Sequence, residues 1–89
     1  MKKITVTHGR FECSFTTANC GQLNVFCNFD PTAETAFYLA ISQPWIKISN
    51  AGAYDCQPVI GYMLIDLNGH SEGEFAERLK SIMELTLND

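Results

Sequence analysis

The chain has 89 residues, six Lys and Arg against ten Asp and Glu, and a formal net charge of −4. That length leaves no room for separate cofactor and substrate domains, and the acidic balance speaks against a phosphate-binding groove, which needs a positive surplus. Hydrophobic residues make up 46% and charged residues 18%, against about 25% charged in an ordinary soluble domain, which excludes disorder and calls for a real core.

Ile4, Val6 and His8 alternate with Thr5 and Thr7, the period of a strand. Gly9-Arg10 reads as a turn, after which Phe11, Cys13 and Phe15 alternate with Glu12, Ser14 and Thr16 as the second strand of a hairpin. Asn19-Cys20-Gly21-Gln22 turns the chain again. Leu23, Val25, Cys27 and Phe29 then alternate with Asn24, Phe26 and Asn28, a third strand that completes an antiparallel meander. Phe26 stands out, because it falls on the face otherwise given to Asn.

Asp30-Pro31 predicts a helix opening: the carboxylate can cap free N–H groups, and proline has no N–H to leave unpaired. Ala33, Ala36, Phe37, Ala40 and Ile41 follow as one helical face over residues 31–43. Thr35, Phe37, Leu39 and Ile41 also alternate with Ala36, Tyr38, Ala40 and Ser42, so a strand stays open there. Pro44 ends either element.

Trp45 to Ser49 reads as a short strand with Lys47 outward, and Asn50 to Pro58 as the longest loop. In the strand from Val59 to Leu67, Val59, Met63, Ile65 and Leu67 share one face, and Ile60, Tyr62 and Leu64 the other. A strand apolar on both faces is usually central and covered on both sides. After Asn68-Gly69-His70, Ser71 and Glu74 form a capping box. Phe75, Leu79, Ile82, Met83 and Thr86 then lie on one helical face, opposite Glu77, Lys80 and Glu84. The expected fold is a single α+β domain in the order β-β-β-α-β-β-α. Its antiparallel sheet has five strands, or six with the alternative at 35–42, and the C-terminal helix packs on one face.

Charge is unevenly spread. Residues 1–10 sum to +3, residues 11–70 to −4 and residues 71–89 to −3, with Lys47 the one cation in the long middle section. That section also holds every aromatic residue except Phe75. No apolar run approaches the roughly 20 residues of a membrane span, and the start has charges without an apolar stretch behind them, so a cytoplasmic protein with reduced thiols is expected. The cysteines at 13, 20, 27 and 56 match no standard zinc spacing. Cys13 and Cys27 read as small buried apolar residues, whereas Cys20 and Cys56 with His8 or His70 could assemble a site only in space.

No nucleophile motif, metal helix or glycine-rich phosphate loop occurs. The helix start accounts for Glu72 and Glu74, a cap for Asp30 and a strand end for Asp66, which leaves no carboxylate pair for acid–base work. Nucleic-acid stacking platforms set aromatics beside cations, and here only Lys47 is near the rings. Protein binding is the remaining class. Interfaces are commonly anchored by Trp and Tyr, which singles out Trp45 and Tyr54 together with Phe26. The expectation is therefore a non-enzymatic protein-binding module without cofactor or metal, used as a small inhibitor of a host complex, as phage-encoded anti-CRISPR proteins are. Its partner would be a protein, for example a nucleic-acid-handling complex whose basic surface meets Glu77 and Glu84. Direct nucleic-acid or membrane binding is not expected, and a homodimer would cover the apolar surface that a small sheet leaves. A small enzyme or ligand- or metal-binding domain using His8, His70 and the cysteines is the alternative, and a structural or assembly protein is a further one.

Overall fold

The computed structural model describes residues 3–17, 21–42 and 46–88. Strands β1 (Lys3–His8), β2 (Phe11–Thr17) and β3 (Gln22–Cys27) form the expected meander, followed by α1 (Thr35–Ile41), β4 (Lys47–Tyr54), β5 (Gln57–Asp66) and α2 (Glu72–Thr86). One five-stranded sheet results, in the order β1-β2-β3-β5-β4, with every neighbouring pair antiparallel. The chain from β3 through α1 to β4 therefore passes over β5, which inserts between the two strands.

The alternation within each strand decides which side chains enter the core. Val6, Cys13, Phe15, Leu23, Val25, Met63 and Ile65 are buried on one face of the sheet, against Phe37 and Ile41 of α1 and Phe75, Leu79, Ile82 and Met83 of α2. Phe15 and Phe75 meet edge to face with ring centroids 5.1 Å apart, the arrangement aromatic quadrupoles favour. Phe29 bridges Phe11 and Phe37 in the same way, at 5.1 and 5.4 Å. Both helices thus cover the same face of the sheet.

The capping box forms as expected: Ser71 Oγ accepts from the Glu74 N–H at 3.1 Å, and Glu74 Oε1 accepts from the Ser71 N–H at 3.1 Å. Helix α1 begins later than its sequence suggests. Asp30 Oδ1 accepts from the backbone N–H of Thr32 at 3.0 Å and from its hydroxyl at 2.7 Å, so the carboxylate closes a turn over residues 31–33. Thr35 then opens a helix of 7 residues, whose N-cap residue, Glu34, makes no side-chain capping bond. The strand alternative over 35–42 is not realised. At the other end of α1, Arg78 of α2 donates to the Ala40 carbonyl at 3.1 Å, placing a cation where a helix C-terminus favours one.

The region read as a long loop is largely strand. β4 continues to Tyr54 and turns into β5 through Asp55 and Cys56, whose φ values are +52 and +65. Two consecutive left-handed residues make the tight hairpin turn that suits twisted strands. Neither is glycine, and Cys is a poor left-handed residue, so composition did not announce the turn. Between Ala51↔Met63 and Ala53↔Pro58, β4 advances two residues and β5 five, and the surplus is taken up in a bulge. Gly52 and Gly61 adopt φ +79 and +83 in this region. Gly61 is required there, because a Cβ would collide with the Cys27 carbonyl oxygen and lie 2.9 Å from that of Phe29.

Candidate functional site

With both helices on one side, the other face of the sheet carries no layer of secondary structure among the described residues. The registers place Ser14, Phe26 and Tyr62 in one row across this face, and Thr16, Asn24, Leu64 and Asn50 in the next. Phe26 therefore does lie on the face otherwise given to Asn. The expected second covering of β5 is absent, and a local aromatic cluster stands in its place.

That cluster is Phe26, Tyr54 and Tyr62. Ring centroids lie 5.3 Å apart for Phe26 and Tyr54, 5.2 Å for Phe26 and Tyr62, and 5.2 Å for Tyr54 and Tyr62. Tyr62 lies at the bottom, only 4% exposed, and its hydroxyl donates to Asn24 Oδ1 at 2.6 Å. Burial, followed by the nearby Tyr54 and Asp55, pushes the Tyr62 phenol above its ordinary value of 10.0, so it stays a neutral donor at physiological pH. Phe26 is half-buried between the two tyrosines, and Tyr54 forms the outer surface at 42% exposure. Ile60, from the bulged part of β5, is 82% exposed. The hairpin turn and the bulge bring Tyr54 over the sheet, so this site rests on backbone irregularities rather than on strand periodicity.

Glu77 and Glu84 are exposed on the side of α2 turned away from the sheet. They share a molecule but not a face with the aromatic cluster, so one flat contact cannot include both. Several acids of this helix are also engaged by neighbouring side chains. Glu74 pairs with His70 at 3.1 Å and Glu84 with Lys80 at 3.9 Å, while Lys80 donates to the Thr7 carbonyl at 2.7 Å. Glu72 accepts from the Thr17 hydroxyl at 3.1 Å. Trp45, the third aromatic anchor expected from sequence, lies outside the described residues, as does Cys20.

Among the described residues, the groups named for an alternative chemical site are dispersed. His8 pairs with Phe11 at one end of the meander, whereas His70 follows Asp66, which pairs with Gln22 at the other end. Cys56 is exposed at the tip of the β4–β5 hairpin. A shallow cleft of about 500 Å³ separates the β2–β3 end from the start of α2 and is lined by Thr17, Leu23, Leu67, His70 and Glu72 among others, with no cysteine among its described residues. No group of three His, Cys, Asp or Glu residues suited to a metal ion occurs among the described residues. None of the described helices is long and apolar enough to cross a membrane.

Sequence reasoning singled out Phe26 and Tyr54, whose rings the structure brings into contact, but not Tyr62 or Ile60. Alternation had set Ile60, Tyr62 and Leu64 on one face, but nothing local marked that face as the one without helices. No protein-family model, curated protein or solved structure matches the chain.

Proposed function

We propose that the chain is a non-enzymatic protein-binding module that docks through the uncovered face of its sheet, serving as a small inhibitor or accessory factor of a larger complex. The observation that carries this reading is the Phe26–Tyr54–Tyr62 cluster, on a face over which no described helix lies, with exposed Ile60 in the adjoining bulged part of β5. Tyr54 is the anchor: an amphipathic ring, held against two other rings, presents a rigid surface that loses little side-chain freedom on binding. Asn24 keeps the Tyr62 hydroxyl paired, so the base of the cluster carries no unsatisfied donor into an interface. The exposed acids of α2, Glu77 and Glu84, form a separate surface available to a basic partner.

The test uses the tagged full chain as bait in lysates of the cells that carry or receive its gene. The unmodified chain retains a stoichiometric partner. Tyr54→Glu combined with Ile60→Glu lowers the affinity by about 30-fold, the equivalent of one interface hot spot of ~2 kcal/mol, while circular dichroism shows an unchanged fold. Glu77→Lys with Glu84→Lys, on the opposite side, retains the partner if the sheet face alone makes the contact and weakens it if the partner wraps around to α2. A partner held equally well by the Tyr54 and Ile60 variant refutes the sheet face as the binding surface. Recovery of no stoichiometric partner from any such lysate, with a monomeric chain in ultracentrifugation, refutes the module itself.

A further inference from the structure

Cys13 and Cys27 are 14 residues apart in sequence, but they are register partners on the adjacent antiparallel strands β2 and β3. The hydrogen bonding fixes the kind of pair they form. The Asn28 N–H donates to the Glu12 carbonyl at 2.9 Å, one residue outside each cysteine, so Cys13 and Cys27 face each other as a non-hydrogen-bonded pair. In such pairs the Cα atoms approach to about 4.5 Å and the side chains lean together. A disulfide accepts Cα separations of about 4.4–6.8 Å, so the strands already stand at a bridging distance. The two sulfur atoms are 2.8 Å apart, in an S–H···S contact. The side chain of Asn28 locks this register: its Oδ1 accepts from the Glu12 N–H at 2.9 Å, and its Nδ2 donates to the Arg10 carbonyl at 2.8 Å.

We infer that Cys13 and Cys27 form a redox modification site, a dithiol that a small-molecule disulfide such as oxidised glutathione converts into an intrachain cross-strand disulfide. The difference in exposure orders the steps. Cys27 is half-buried, whereas Cys13 is fully buried. The hydrogen bond with Cys27, and then burial, push the Cys13 thiol well above its ordinary value of 9.0, which favours its protonated form. Cys27, the more accessible of the two thiols, therefore attacks the glutathione disulfide first and releases its proton to solvent. A Cys27–glutathione S–S bond forms, the original S–S bond breaks, and one glutathione thiolate leaves and takes up a proton. Cys13 then gives up its proton and attacks Cys27 Sγ, expelling the second glutathione as a thiol. The protein loses two electrons and two protons, and one glutathione disulfide becomes two thiols.

The test starts from Cys20→Ser, Cys56→Ser protein, so that only the pair can react, with the unmodified chain mapped in parallel. Each folded protein is equilibrated with oxidised and reduced glutathione, quenched with acid, denatured and treated with N-ethylmaleimide. Intact mass then shows the two-cysteine protein lighter by two hydrogens with no maleimide attached, and non-reducing digestion of either protein joins the Cys13 and Cys27 peptides. In a Cys13→Ser version, glutathione accumulates on Cys27 because no second thiol releases it. The inference is overturned if both thiols still take maleimide after equilibration with oxidant. It is also overturned if the two-cysteine protein stops at the Cys27 adduct, or if the unmodified chain places its bridges elsewhere.

Discussion

Gly61→Ala and Gly52→Ala form a matched pair that tests how the bulge beneath the aromatic cluster is built. Both glycines have positive φ, +83 and +79, so an alanine at either position carries a similar backbone strain of about 1–2 kcal/mol. That cost is offset in part by ~0.5–1 kcal/mol from a less flexible unfolded chain. The surroundings differ. A Cβ on Gly52 meets nothing within 4 Å, whereas one on Gly61 meets the backbone oxygens of Cys27 and Phe29. Backbone atoms cannot turn aside as a flexible side chain would, so β5 must pull away from the end of β3, at roughly 1–3 kcal/mol more. Gly52→Ala is expected to cost about 1 kcal/mol and Gly61→Ala about 3. For a domain of this size the total stability is on the order of 4–13 kcal/mol, so the second loss is a large part of it. Urea unfolding followed by circular dichroism measures both. With a slope of about 1–2 kcal/mol per molar urea, the two midpoints differ by roughly 1–2 M. Equal shifts in the two variants would refute the close approach of β5 to the Cys27 carbonyl, and with it the placement of Tyr62 and Tyr54 above that bulge.

Two further expectations concern single hydrogen bonds. Tyr62→Phe keeps the ring stack and deletes only the donor to Asn24, at a cost of about 1 kcal/mol in urea unfolding; no loss would mean that the 2.6 Å bond does not hold the cluster. Glu74 is held below its ordinary value of 4.5 by hydrogen bonds first from His70 and then from Ser71. A carboxylate lowered in the folded state adds stability above its unfolded value and loses that contribution as the pH falls through its lowered folded value. Glu74→Gln keeps an acceptor for the Ser71 N–H but cannot titrate. The difference between the thermal midpoints of the two proteins should therefore shrink as the pH falls below 4.5 and through the lowered value of Glu74. Parallel curves down to about pH 3 would refute the pairing.

Local rules carried the sequence reading a long way. Within each strand, alternation grouped Cys13 with Phe15, Leu23 with Val25 and Met63 with Ile65, all of them buried, because the period of a strand is a property of the backbone alone. The spacing of Ser71 and Glu74 defined the start of α2 because both capping bonds close within three residues. Asp30 shows where such rules divide: the same carboxylate can cap a helix or close a turn, and here it bonds Thr32 in a turn while the helix opens at Thr35. Cys56 carried no turn signal, since its left-handed backbone goes with the pairing of Tyr54 with Gln57 rather than with a preference of the residue itself.

By itself, then, the sequence determined the elements and their apolar faces, together with a sparsely charged, aromatic-rich middle section. Tertiary structure decided what those faces meet. β5 entered the sheet between β3 and β4, and both helices settled on the same side, which left Phe26, Tyr54 and Tyr62 to cover one another on the other. It also brought Cys13 and Cys27 into contact across two strands. Periodicity reports the orientation of a side chain about its own strand, but the partner on the next strand, or the lack of one, depends on register and layer order, which are set by residues far apart in the chain.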